Sequence, residues 1–280
     1  MARRASCVVM RAMVGCRHRR VVPAACRGVF PGRSHPAAKP SRECAPQRLP
    51  GRRERVPQAR RGTRGANNLP VEILKVSPEN PEASVLRYAA DLIGRGRVVG
   101  VPTDTFYGLA ADPFNLAAVE QIYRVKGRPE ARALPILVSS IEQAVELARE
   151  LPESFLKLAE KFWPGALTLL VDASHHIPLK VTANTGRVAL RWPNSKVACA
   201  LIEVCEGPIT GTSANLSGFP ACSSAEQVIK QMGDRLPLLI DAGDTGALLA
   251  STIVDLQGEA WKILREGTVS EQDLRAALGE

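Results

Sequence analysis

Four polar segments of the chain concentrate side chains that can act on a small charged ligand. The first is PTDTFYGLA, residues 102–110, which places three hydroxyls, a carboxylate and a glycine directly after the apolar run VVGV. Where a strand ends, the sheet fixes the position of backbone amides and short hydroxyls while the loop keeps them accessible. Thr105 and Asp104 are candidates there; the bland reading is a polar turn in which both bond their own backbone. The second is Lys126-Gly127-Arg128-Pro129, with Arg132 following four residues after Arg128. Three cations around a glycine suit a polyphosphate, because guanidinium forks grip phosphate oxygens in pairs and Lys adds a point charge. A helix dipole would by itself also favour Lys126 at a helix C-terminus. The third is GTSANLSGFPACSS, residues 211–224. Its Ser213 and Asn215 have the groups to bond ribose, a base edge or phosphate oxygens, or else form a hydroxyl or Asx turn. The fourth is dispersed: Arg191 in VALRWP, Ser251 in ASTIVD and Arg265 in ILREG.

Other chemistries are disfavoured. No GxxxxGK[ST] or GxGxxG is present, so a nucleotide would be held largely by side chains. Beyond residue 66 the only histidines are His175 and His176, with no Ser-His-Asp or Cys-His arrangement. Four of seven cysteines (Cys7, Cys16, Cys26 and Cys44) precede residue 67, and Cys199, Cys205 and Cys222 show no CxxC spacing. The reading is therefore no protein-bound metal site, no disulfide framework and a reducing compartment.

The elements that must position these groups follow from periodicity. Val85, Leu86, Ala89, Ala90 and Ile93 share one helical face over 82–93, and GRGRVVGVP then turns into a buried strand. Asn115 caps a second helix carrying Leu116, Val119, Ile122 and Tyr123, ending at Gly127. LPILVS reads as a strand, and Ser139-x-x-Glu142 as a capping box opening a helix through Arg149. A helix over 153–162 stops at Trp163-Pro164-Gly165 before the strand ALTLLV. VALRWP, GPITGTS, LPLLIDAG, STIVDL and AWKILREG are further strands, with helices near 196–205 and 225–232 and a last one capped by Ser270 with Asp273. Strands follow one another in the C-terminal third, which predicts a single α/β domain with a twisted mixed β-sheet flanked by helices, not a doubly wound parallel sheet.

Residues 1–66 differ in kind. They hold sixteen Arg and one Lys against Glu43 and Glu54, a net of +15 within a chain total of +9, leaving −6 for residues 67–280. Rich in Arg, Pro, Gly and Ala, this segment is expected to be a disordered basic extension outside the 67–280 domain. It reads either as a transit peptide or as an over-long start. The −6 balance argues against gripping RNA as the main role. No apolar run nears the roughly 18 residues of a membrane-spanning helix.

PTDTFYGLA, KGRP, PGALTLL, VALRWP, TSANLSG, STIVD and ILREG occur in the order in which similar segments occur in the YrdC-like threonylcarbamoyl-AMP synthase family, which the chain resembles over about residues 70–270. The resemblance implies a twisted α/β sheet around a large, positively charged concave cavity. It also implies a nucleotidyltransferase that makes L-threonylcarbamoyl-AMP from L-threonine, bicarbonate and ATP, with Mg2+, for tRNA threonylcarbamoyladenosine modification. Position by position, it puts Thr105, Arg191 and Ser251 on threonine, and Lys126, Arg128, Arg132, Ser213, Asn215, Ser223 and Arg265 on ATP. Lys126 and Arg128 would be catalytic. Three positions depart from the family: Arg132 stands where Asn is common, Leu137 where a His faces threonine, and Ala250 where a glycine is common. The labile product would pass to a tRNA threonylcarbamoyltransferase complex. The cytoplasm is the implied location, or the mitochondrion if residues 1–66 are a transit peptide. The competing readings are a carbamoyl-handling domain of hydrogenase-maturation type and a non-catalytic double-stranded-RNA binding module.

Overall fold

The computed structural model describes residues 70–127, 132–258 and 260–280; the basic segment over 1–66 and Arg128 lie outside them. Along the chain run β1 (Glu72–Lys75), α1 (Ala83–Gly94), β2 (Val99–Val101), β3 (Gly108–Ala110), α2 (Leu116–Lys126) and β4 (Ile136–Leu137). There follow α3 (Ile141–Leu147), α4 (Glu153–Phe162), β5 (Leu167–Asp172), β6 (Arg187–Arg191), α5 (Lys196–Val204), β7 (Ile209–Thr210) and β8 (Thr212–Ser213). The last are α6 (Ala225–Met232), β9 (Leu238–Asp241), β10 (Thr252–Asp255), β11 (Lys262–Arg265) and α7 (Glu271–Leu278).

The fold is mixed α/β as predicted, and its strands divide between two mixed sheets of order β1-β9-β2-β3-β8 and β11-β10-β5-β6-β4-β7. On the first, α1 buries Leu86, Ala89 and Ile93 and α5 buries Val197, Leu201 and Ile202 against Val99, Val101, Leu238 and Ile240. On the second, Phe155 and Leu158 of α4 and Leu274 of α7 share one core with Leu167, Leu169, Val171 and Val254. Each of the Val, Leu, Ile and Phe side chains among these contributes about 1.5–3 kcal/mol on removal from water. Successive strand residues face opposite ways. While Leu167, Leu169 and Val171 of β5 go to this core, Thr168 and Leu170 line a cavity on the other face.

Local signals acted as expected at most boundaries. Asn115 Oδ1 accepts from the amides of Ala117 and Ala118, and α2 closes on Gly127 in the left-handed region at φ 58°, where a Cβ would be strained. Ser270 Oγ accepts from Asp273 N. Three expectations need correction. The cap of α3 is Ser140, not Ser139: its Oγ accepts from Gln143 N, while Gln143 Oε1 accepts from Ser139 N, and the helix ends at Leu147, short of Arg149. The capping box is thus built one residue later, on Gln143 in place of Glu142. LPILVS contributes only Ile136–Leu137. GPITGTS is two short strands in different sheets, because the chain crosses from one sheet to the other at Gly211. A Cβ on Gly211 would meet Leu137 at 2.4 Å, so this crossing needs glycine.

Candidate functional site

The antiparallel pair β2 and β3 carries the turn 102–107 on its end. Within that turn Thr103 Oγ1 donates to Phe106 O and lies 3.1 Å from Thr105 Oγ1, so the hydroxyls do bond locally, as a polar turn would. They are also buried, at 8% and 6% exposure. Thr105 Oγ1 further accepts from Arg191 Nη1 at 2.9 Å, and Asp104 Oδ1 accepts from Arg191 Nη2 at 2.6 Å. Arg191, at the end of β6 and 6% exposed, also donates Nε to Gly165 O. Asp104 therefore orients the guanidinium, and one hydrogen on each terminal nitrogen stays available to a ligand.

Facing this group, α2 delivers Lys126 to the loop after β8. Its ammonium, 4% exposed, donates to Ser213 O, Asn215 O and Asn215 Oδ1. Asn215 Oδ1 also accepts from Ser213 Oγ, and Asn215 Nδ2 donates to Leu216 O and Phe219 O. The loop that carries Ser213 and Asn215 is thus fixed on the lysine. Tyr123 donates to Arg132 O at 3.0 Å and so anchors the far end of the basic loop to α2.

On the opposite wall, Ser251 Oγ lies 2.8 Å from Thr168 Oγ1 and accepts from Arg265 Nη2, while Ser251 O accepts from Arg265 Nε. Burial first, then the charge of Arg191, lowers the pKa of Arg265. Two guanidiniums raise each other's electrostatic energy, and an anion between them relieves it.

These walls enclose a cavity of about 420 Å³. Thr105, Lys126, Arg132, Arg191, Ser213, Asn215, Ser251 and Arg265 line it, eight of the ten described candidates, and Asp104 reaches it only through Arg191. Ser223 lines instead an adjoining apolar pocket of about 560 Å³ with Leu216, Phe219 and Pro220, which shares Phe106 and Ala221 with the first. Among the described residues no Asp or Glu lines the cavity and no cluster of three metal-ligating residues occurs. Thr168, in the segment PGALTLL, is a lining residue not among the sequence candidates; a hydroxyl alternating with Leu167 and Leu169 in an otherwise apolar strand is its one sequence signal.

The family model Sua5_yciO_yrdC, described as "Telomere recombination", matches residues 91–267. The chain belongs to the Sua5/YciO/YrdC family. Among curated relatives, the threonylcarbamoyl-AMP synthase of Pyrococcus abyssi is 38% identical over 202 residues, 72% of this chain and 59% of that protein. The threonylcarbamoyl-AMP synthase of Bacillus subtilis is 35% identical over 206 residues, 73% of this chain and 59% of that protein. The chain thus spans less than two thirds of either. The crystal structure of P. abyssi Sua5 complexed with L-threonine superposes with a TM-score of 0.72 at 38% identity, covering 74% of this chain and 61% of that one. The two-sheet architecture is that of the Sua5/YciO/YrdC fold.

Proposed function

We propose that this protein makes L-threonylcarbamoyl-AMP from L-threonine, bicarbonate and ATP, releasing pyrophosphate. One observation carries the reading: a cavity lined by Lys126, Arg132, Arg191 and Arg265, with no carboxylate among its described lining residues, in which Asp104 and Thr105 hold Arg191 for a bidentate anion. Two relatives bearing the synthase name, and a relative whose structure holds L-threonine, support it.

In this reading Arg191 binds the threonine carboxylate with Thr105 and Ser251 nearby. The triphosphate runs toward Arg265, Arg132 and the loop of Ser213 and Asn215, with Lys126 and Arg128 at the reacting phosphate. The apolar pocket bounded by Phe106 and Phe219 receives the base, beside Ser223. The threonine amine condenses with bicarbonate, losing water, and the resulting carbamate oxygen attacks the α-phosphorus as pyrophosphate leaves. No covalent protein intermediate is needed; rate comes from positioning and from cations facing the developing phosphate charge. A magnesium ion would be held by the triphosphate oxygens and water and would offset phosphate charge; the described lining offers hydroxyl, amide and guanidinium groups and no carboxylate to hold it directly. The mixed anhydride would pass to a tRNA threonylcarbamoyltransferase complex.

The test follows pyrophosphate release with each substrate omitted in turn. Release requiring ATP, threonine and bicarbonate together, and falling roughly a hundredfold or more in Arg191→Ala, supports the synthase. Turnover with carbamoyl phosphate in place of threonine and bicarbonate would instead favour the carbamoyl-handling class.

A further inference from the structure

The cavity wall on the six-stranded sheet is a row of side chains at one level across five strands. Leu137 of β4 pairs with Arg191 of β6, and Thr168 of β5 and Arg191 each lie one residue beyond the Leu169–Leu190 pair. Thr168 in turn pairs with Ile253 of β10, and Ile253 with Arg265 of β11. All five side chains line the cavity. Adjacent strands lie about 4.8 Å apart. A hydroxyl therefore stands one strand from the Arg191 guanidinium, between it and the apolar side chain of Ile253.

That hydroxyl is buried, Thr168 being 3% exposed, and its partner Ser251 is 5% exposed. The two oxygens are 2.8 Å apart, so one of their two hydrogens makes the bond between them. Arg265 Nη2 donates to Ser251 Oγ, which occupies an acceptor site and no hydrogen. Whichever way the pair is oriented, its second hydrogen has no acceptor among the described residues. Leu170, Ala189 and Ile253 surround it on the wall and offer none. A buried hydroxyl hydrogen without an acceptor is unfavourable, so a ligand oxygen, or water, completes this wall.

We propose that Thr168, through its pair with Ser251, reads the side-chain hydroxyl of the amino-acid substrate and so selects threonine over the isosteric valine. The inference rests on the threonine reading above and adds to it a residue and a reason. With the α-carboxylate on Arg191, the substrate's β-carbon lies toward β5. Its hydroxyl accepts from the pair, and its methyl lies against Leu170 and Ile253. Valine offers a methyl where an acceptor is required and excludes the water that would otherwise serve.

The experiment uses the full chain and measures binding of L-threonine and L-valine by calorimetry, then kcat/KM for each with ATP and bicarbonate. The wild type is expected to prefer threonine by roughly a hundredfold or more. Thr168→Val should cut that preference roughly tenfold or more and leave the KM for ATP in place, whereas Thr168→Ser, which keeps the hydroxyl, should retain it. Should Thr168→Val fail to fold, as read by its thermal unfolding, Thr168→Ala is expected to lose the preference in its stead. A Val or Ala variant that folds and keeps the wild-type ratio, or weakens both ligands equally, overturns the proposal and leaves the synthase reading standing. A wild type that binds no threonine overturns both.

Discussion

Lys126 is tied to the loop it faces through both ends. Ser217 N donates to its carbonyl, and its ammonium lies on Ser213 O, Asn215 O and Asn215 Oδ1. Lys126→Met would take this donor from Ser213 O and Asn215 O and leave Asn215 Oδ1 only Ser213 Oγ; the expected loss is about 3 kcal/mol of stability, read from urea unfolding, with a raised KM for ATP. A lysine that touched only phosphate would leave unfolding unchanged. Cys205 makes a second residue-scale prediction. Burial, and then the charge of Asp112, pushes its thiol from 9.0 up to about 11. The unfolded thiol ionises first as pH rises, so the stabilisation is full below pH 9 and is lost as pH climbs toward 11. Urea midpoints measured between pH 8 and pH 10.5 should fall less steeply in Cys205→Ala than in the wild type. The charged and amide members of the site were legible through the ordered segments that carry them, since each alone also had a bland reading as a turn former or a helix-end cation. Asp104 was legible only as a turn former or helper, since its partner Arg191 lies 87 residues away. Thr168 left only a faint signal, a hydroxyl alternating with Leu167 and Leu169, which an ordinary β-branched strand residue gives as well.

At the scale of elements, helices were easier to read than strands. The stretches 153–162 and 225–232 are found as helices at those bounds, their apolar stripes and stop residues leaving little choice. The strand β3, three residues of Gly-Leu-Ala, carries almost no β propensity and is made by pairing with β2 and β8. The division into two sheets was equally hidden, since it rests on pairings such as β1 with β9 that join residues far apart in the chain. Capping gives a direct check on α3. Ser140→Ala should cost about 1 kcal/mol in thermal or urea unfolding and Ser139→Ala only about a third of that, because only the Ser140 hydroxyl accepts from a first-turn amide. Equal losses would restore the cap to Ser139.

For the whole molecule, the contrast between a net +15 over residues 1–66 and −6 over 67–280 separates two kinds of behaviour. We expect a chain shortened to 67–280 to keep threonine-dependent pyrophosphate release while losing retention on heparin at low salt. Retained heparin binding by the shortened chain would locate the polyanion affinity in the cavity instead. No helix among the described residues is long and apolar enough to cross a membrane. The two faces of β5 bear on how such a chain can diverge. Leu167, Leu169 and Val171 belong to the core and Thr168 and Leu170 to the cavity, so deleting one residue from this strand would exchange the two sets at once. Point replacements there can be tried by descent one at a time, but a change of length cannot. Substrate preference in this lineage should therefore drift by substitution within a strand of fixed length, with insertions confined to the loops.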